Sequence, residues 1–423
     1  MMKKAYVIKG SNKPLKGEVK ISGHKNAAGP ILAATILTKE PCVIDNLPRI
    51  SDILNLIEML EQIGAEVEWL TPHKIKISTK DINPKKIPID LFKKMRVSVL
   101  LIGPLLSRFK KFKVPYPGGD KIGLRPISSH LEALEDFGVI VKQQPGFYVF
   151  EAPVKRQGKG VVLKEFSVTA TENLMMLASG TNGTSKIETA ACEPQVQDLG
   201  RFLQKMGATI KGVGTHTIEI KGNENLKGVT HSLCPDSTEA GTFFLAFAIT
   251  GGEGKIKDVD PEALTFFLAK MKEIGINFEV KKNEIIIKKS NNLKTTKIQA
   301  LPFPGFPTDL QPQATVLLTQ IQGKSLIHDP LYENRFGHLQ ELRKMGADIE
   351  VTDPHRALIF GKTKLVANHI TATDIRAGAT LILAALVAKG KSRIYNVHQI
   401  ERGYEKFDEK LRKLGADIKI KNF

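Results

Sequence analysis

Basic side chains recur in this chain beside residues that would shape an anion site. Lys25 lies in Ser22-Gly23-His24-Lys25-Asn26-Ala27, and Arg96 follows Met95. Arg125 lies near the end of the loop Pro115-Tyr116-Pro117-Gly118-Gly119-Asp120-Lys121-Ile122-Gly123-Leu124-Arg125-Pro126. Further along come Phe306-Pro307-Thr308-Asp309, Glu333-Asn334-Arg335-Phe336, Thr373-Asp374-Ile375-Arg376-Ala377 and Glu401-Arg402-Gly403-Tyr404-Glu405. Singly, each cluster has a plain explanation. Lys25-Asn26 reads as a helix start, Asp374 and Arg376 as a surface ion pair worth little, and Arg402 with Glu405 as an i,i+3 pair. Together, Lys25, Arg96, Arg125, Arg335, Arg376 and Arg402 form a cationic set drawn from six segments at comparable places in an internal repeat. Converging, they would bind a compact polyanion. The loop holding Asp120, Lys121 and Arg125 has three glycines and three prolines in twelve residues. A shaped loop with open backbone amides and cations suits a phosphate.

Other chemistries lack their residues. There is no GxGxxG, and Gly323-Lys324-Ser325 and Gly390-Lys391-Ser392 lack the upstream glycine of a P-loop. Cys42, Cys192 and Cys234 form no CxxC pair, and the ten histidines form no HExxH. Neither a disulfide framework nor a metal site is expected, and no cofactor is implied. The 62 Lys+Arg against 44 Asp+Glu give a net charge of +18, most of it read as solvated surface. The run Arg108 to Lys113 reads as an exposed turn entering a strand, and with 6% aromatic residues no basic aromatic stripe for nucleic acid stands out. Apolar residues at 42% and charged residues at 25% describe a globular protein. The longest apolar runs, Phe243 to Ile249 and Leu381 to Ala388, are far short of the ~20 residues of a spanning helix. Lys3-Lys4 has no apolar segment behind it, so no secretion signal is read. A cytoplasmic protein with no membrane or nucleic-acid partner is expected.

An internal repeat must position these residues. A Leu/Met-rich segment, a glycine and an alternating apolar stretch recur at Gly64, Gly138, Gly207, Gly275, Gly346 and Gly415, spaced by 74, 69, 68, 71 and 69 residues. Each glycine follows helical spacing, as in Leu54, Ile57, Leu60 and Ile63, and is placed to end a helix in the left-handed conformation. Upstream of each lies an apolar helix, beginning near Ile31, Ser98, Leu174, Thr242, Ala314 and Thr380. Each unit reads helix, strand, helix, strand and one more strand. Six such units exceed one small core, so two domains of three are expected, crossing near 223–230. A cleft between them is the expected ligand site, lined by the loops that precede each second helix.

At these residues the chain resembles the UDP-N-acetylglucosamine 1-carboxyvinyltransferase family of enolpyruvyl transferases. The resemblance covers essentially the whole chain. It runs in order through Ser22 to Ala27, Pro117 to Pro126, Ser167-Val168, Ala170 to Asn173, Phe306 to Asp309, Glu333 to Phe336 and Arg402 to Glu405. It implies an α/β fold, a two-domain inside-out α/β barrel of six βαβαββ repeats. Residues 22–229 would form the first domain, with the Gly-rich catalytic loop. Residues 1–21 plus 230–423 would form the second, with the active site in the cleft. The implied reaction moves the enolpyruvyl group of phosphoenolpyruvate (PEP) to the 3′-hydroxyl of UDP-N-acetylglucosamine by addition and elimination, releasing phosphate. That step commits material to peptidoglycan and so to cell-wall growth, cell shape and division.

The resemblance also implies roles. Lys25, Arg125 and Arg402 grip PEP, with Arg96, Arg335 and Arg376 adding charge. Asp309 is the base at the sugar hydroxyl, and Asp374 orients the cations. Asn26, Arg125, Pro126, Ile127, Ser128, Ser129, Ser167, Val168 and Leu331 line the nucleotide-sugar site. Asp120 stands where many members carry Cys, making it the candidate acid, with Lys25 and Arg402 completing the catalytic set. Loss of that thiol implies insensitivity to the epoxide fosfomycin. Ser128, Glu165 and Ser237 also depart from the usual Asp, Lys and Arg. A monomer acting on small molecules is expected. The alternatives are a sister transferase with another acceptor and a non-catalytic or nucleic-acid-binding relative. The Gly-Asn-Ala-Gly-Thr stretch of 5-enolpyruvylshikimate-3-phosphate synthase is absent.

Overall fold

The computed structural model describes residues 4–11, 13–120, 122–153 and 157–422. All six repeat glycines have positive φ: +108° at Gly64, +97° at Gly138, +113° at Gly207, +97° at Gly275, +88° at Gly346 and +102° at Gly415. Side chains with a Cβ resist that conformation, so glycine ends the preceding helix and turns the chain into a strand. The helices so ended are Ser51–Gln62, Ser128–Asp136, Pro194–Met206, Thr265–Ile274, Gly337–Lys344 and Phe407–Lys413.

The first helix of each repeat is of another kind. In Ile375–Val387 twelve of thirteen residues are buried, and Ser237–Thr250 buries Phe243, Phe244 and Phe247 fully. A helix apolar on every side belongs in an interior. Ser237–Thr250, Gln311–Thr319 and Ile375–Val387 pack pairwise against one another. Each fully buried large apolar side chain contributes about 1.5–3 kcal/mol, so these helices form the core on which the sheets lie.

The strands form six sheets among the described residues, five of four strands and one of three. In the four-stranded sheets a short edge strand lies parallel to its neighbour and the other pairings are antiparallel. Lys297–Gln299, for example, runs parallel to Gly323–His328, which pairs antiparallel with Arg356–Gly361. The repeat therefore begins one strand earlier than the sequence pattern indicates, as βαβαββ. The extra strands, such as Gly160–Val162, Lys297–Gln299 and His369–Thr371, are three residues long. Three residues are too few to display alternation.

The chain divides into two compact units. One comprises Gly23–Asp120 and Arg125–Cys234, the other Met1–Ser22, Lys121–Leu124 and Pro235–Phe423. Residues 230–234, which the sequence placed in the second domain, fall in the unit of 23–120. The reason is that Thr230–Ser232 pairs parallel with Cys42–Asp45 and supplies the missing edge strand of that sheet. The first and last described strands join the other unit, where Lys4–Lys9 pairs with Lys391–Tyr395 and Asp417–Asn422. No helix among the described residues is long and apolar enough to cross a membrane.

Candidate active site

In the unit of Gly23–Asp120 and Arg125–Cys234, Lys25 opens the helix Lys25–Ala34, capped by His24 Nδ1 accepting from the Asn26 N–H at 3.1 Å. A cation at a helix N-terminus opposes the helix dipole. Asp52 offsets this, with its carboxylate 3.2 Å from Lys25 Nζ. Lys25 is thus a true helix start and a held cation at once, its side chain 16% exposed. Arg96 begins the 3-10 segment Arg96–Leu101 and donates from Nη2 to the Pro126 carbonyl at 2.8 Å. Gly119 passes so close to Arg96 that a Cβ on it would lie 2.9 Å from the arginine's own. Arg125, at φ +44°, turns its guanidinium back toward the Asp120 carbonyl at 3.5 Å. The structure thus brings Arg96, Asp120, Arg125 and Pro126 together. Lys121 lies outside the described residues.

Ile127 is buried, and Ser128 opens the helix Ser128–Asp136. Ser129 donates its hydroxyl to Glu165. Ser167 caps the helix Val168–Ser179, its Oγ accepting from the Ala170 N–H. Behind these lies His130, buried and bonded through Nε2 to Thr169 at 2.7 Å. Burial, aided by the charge of Arg96, lowers its pKa to about 3. Glu172 is also buried, and burial followed by the charge of Glu193 pushes its carboxyl well above the usual range.

In the other unit, Asp309 sits in the turn Thr308–Leu310 before the helix Gln311–Thr319. Its Oδ1 accepts from Arg335 Nη2 at 2.6 Å and its Oδ2 from Arg376 Nη2 at 2.7 Å. Burial raises this carboxyl, but the guanidiniums of Arg376 and Arg335 outweigh it and hold it far below the ordinary carboxylate range. Asp374 and Arg376 are both buried, so the surface ion pair does not exist. Asp374 instead caps Ile375–Val387, accepting from the Arg376 and Ala377 N–H groups at 2.8 and 2.9 Å. The Arg376 guanidinium lies 5.3 Å from the Tyr404 ring centroid. The Tyr404 hydroxyl meets Thr242 at 3.0 Å and Gln313 Nε2 at 3.1 Å. Leu331 is 38% exposed, its N–H held by Asp329 at 3.1 Å. Arg402 donates to Gln399 at 2.7 Å. Residues 122–124 belong to this unit, where the Leu124 N–H donates to Glu333 at 2.8 Å.

The cations come from two kinds of place. Lys25, Arg96 and Arg376 stand at the starts of first-helix segments, while Arg125, Arg335 and Arg402 come from the loops before second helices. The sequence pattern pointed to those loops alone. The other source is the helix N-terminus, where backbone N–H groups add to the positive field. Sequence reasoning also missed Asp236, which caps Ser237–Thr250, and the pairing of buried Glu239 with Lys410 at 2.7 Å. Asp236 carried a signal, standing just before an apolar helical run. Among the described residues no group of three or more His, Cys, Asp or Glu is placed to hold a metal.

Asp309 held by two guanidiniums in one unit, and the cations, helix N-termini and Gly-rich loop of the other, are each suited to handling anions on a six-repeat α/β scaffold. The family model described as EPSP synthase (3-phosphoshikimate 1-carboxyvinyltransferase) matches residues 9–411. The chain belongs to this carboxyvinyltransferase family. A UDP-N-acetylglucosamine 1-carboxyvinyltransferase of Helicobacter pylori (strain HPAG1) is 42% identical over 409 residues, 96% of each chain. UDP-N-acetylglucosamine 1-carboxyvinyltransferase 1 of Caldanaerobacter subterraneus subsp. tengcongensis is 43% identical over 417 residues, 99% of each. Among solved structures, the enolpyruvyl transferase NikO from Streptomyces tendae shares the fold with a TM-score of 0.90 over all of both chains, at 24% identity.

Proposed function

We propose that this protein transfers the enolpyruvyl group of PEP to the 3′-hydroxyl of UDP-N-acetylglucosamine and releases phosphate. The observation that carries the reading is the near full-length match, at 42–43% identity, to relatives named for that activity. The chemistry suits the residues. Addition needs an acid that gives a proton to the PEP methylene, leaving positive character on the adjacent carbon. The sugar oxygen bonds to that carbon while its proton passes to a base. The tetrahedral adduct then loses phosphate, and a methyl proton leaves to restore the vinyl group. Fixed cations stabilise the phosphate and carboxylate throughout, and they act most strongly where water is excluded.

In this reading Asp120 is the acid and Asp309 the base. Lys25, Arg125 and Arg402 hold PEP, while Arg96, Arg335 and Arg376 add charge. Asn26, Pro126, Ile127, Ser128, Ser129, Ser167, Val168 and Leu331 line the nucleotide-sugar site. The nucleotide sugar enters first, and the loop bearing Asp120 then closes over PEP. The protein acts as a cytoplasmic monomer without metal or cofactor. Without a thiol at position 120, fosfomycin has no thiolate there to alkylate.

Turnover in D2O tests the pathway. Addition and elimination pass through a methyl group, so deuterium is expected in the vinyl group of the product. A product without deuterium would exclude this route. One observation favours a sister transferase with another acceptor. Glu165 takes the Ser129 hydroxyl, which puts a carboxylate beside a residue assigned to the nucleotide-sugar site.

A further inference from the structure

Asp309 covers the cations it is paired with. Its side chain is 30% exposed, while those of Arg335 and Arg376 are 3% and 6% exposed. An anion approaching these guanidiniums therefore meets a carboxylate first, and both carboxylate oxygens are already taken by arginine.

The two arginines are held differently. Arg376 rises from the first turn of a core helix and is seated on the Tyr404 ring, whose hydroxyl is fixed by Thr242 and Gln313. Arg335 comes from a loop. Its Nη2 divides between the Thr308 carbonyl at 3.1 Å and Asp309 Oδ1, and its buried Nε has no acceptor among the described residues. A buried N–H without a partner is costly, and a charged one more so. It marks where an incoming oxygen would bond.

We infer that Asp309, Arg335 and Arg376 form an anion-operated gate on the base. At rest the two arginines hold both carboxylate oxygens. An oxyanion that takes the free Nε–H of Arg335 draws this guanidinium off Asp309 Oδ1, while Arg376 stays fixed on Tyr404. Oδ1 is then open to accept a proton. The opener is a phosphate monoester or a carboxylate, which gives PEP a second role beyond being the donor. The gate rests on the assignment of Asp309 as base.

The surrounding charges favour this exchange. Asp374, Asp236 and Asp329 face the arginines and are acids, and Tyr332 lies with its ring 5.9 Å from Arg335. His338 is buried behind Arg335, with a pKa lowered to about 3 by burial and by that arginine. No cation among these replaces Arg335 when it moves. The carboxyl of Asp309 is held low at rest, and one opposite charge beside a carboxylate accounts for about 1–3 pKa units. Loss of Arg335 therefore raises the proton affinity of Asp309, the direction a base requires.

The test is carbon NMR of the full chain with 13C-carboxyl aspartate, the Asp309 signal being assigned by its loss in Asp309→Asn. The probe is inorganic phosphate, with binding followed by 31P NMR. Without phosphate the Asp309 signal is expected to stay at its carboxylate position down to pH 4. With phosphate bound, its titration midpoint is expected to rise by roughly one to three units, so that protonation begins within the observable range. Arg335→Gln is expected to give the same rise without phosphate and no further response to it. Phosphate binding that leaves Asp309 unmoved would overturn the gate, as would no phosphate binding at all. Neither sugar nor PEP is present, so a failed transferase assignment and a failed gate give different results.

Discussion

Arg376 Nη2 lies 2.7 Å from Asp309 Oδ2 across 67 residues of sequence. The bond joins the starts of two core helices from successive repeats, Gln311–Thr319 and Ile375–Val387. It turns the repeat architecture into chemistry, because helices that pack pairwise also bring their N-terminal side chains together. A carboxylate and two guanidiniums meet there without any local sequence motif.

Replacing Asp309 with Asn removes the proposed base and keeps its shape. Turnover is expected to fall by about 10²–10⁴-fold, the usual contribution of a positioned general base. Binding of UDP-N-acetylglucosamine, measured by calorimetry, is expected to stay near that of the parent protein. Near-normal turnover would remove Asp309 from this role.

Arg402→Ala is expected to act on PEP. A hydrogen bond to a charged group is worth about 1.5–3 kcal/mol, which corresponds to roughly 10- to 150-fold in binding. The KM for PEP should rise within that range while the KM for the nucleotide sugar changes little. Equal effects on both substrates would argue against a specific grip on PEP.

With Asp120 as the proposed acid, the protein is expected not to react with fosfomycin. Intact-mass measurement is expected to show no adduct on the parent protein, whose Cys42, Cys192 and Cys234 lie off this loop. Asp120→Cys should gain one adduct that PEP and UDP-N-acetylglucosamine together modulate. An adduct on the parent protein would contradict the reading.

His130 links stability to acid. Its pKa is about 3 in the fold and about 6.5 in an unfolded chain. Between those values the unfolded state binds a proton that the native state does not. The stability contributed by neutral His130 is therefore complete above about pH 6.5 and is lost as pH falls toward 3. In His130→Gln the decline of stability between pH 6 and 4 should be shallower by about 1 kcal/mol per pH unit, read from denaturant melts. Identical slopes would show that His130 does not titrate on unfolding.

Much of the scaffold was legible because its signals are local. A glycine that must adopt positive φ is visible wherever it follows a helical pattern, and Gly64 through Gly415 gave the repeat count. The edge strands were not legible, since Thr230–Ser232 takes its identity from Cys42–Asp45, far away in sequence. The six cations were legible as residue types. Their division between helix starts and loops was not, because nothing near Arg376 in sequence reveals that its partner is Asp309. Asp374 shows the opposite limit. The resemblance makes it an orienter of cations, and in the structure it caps the helix that carries Arg376.

The most direct test of the central claim is phosphate release from PEP, measured with and without UDP-N-acetylglucosamine, together with the mass of the sugar nucleotide. The account predicts release that depends on the sugar and a product heavier by one enolpyruvyl group. Tight binding of the nucleotide sugar with no phosphate release and no change in its mass would contradict it.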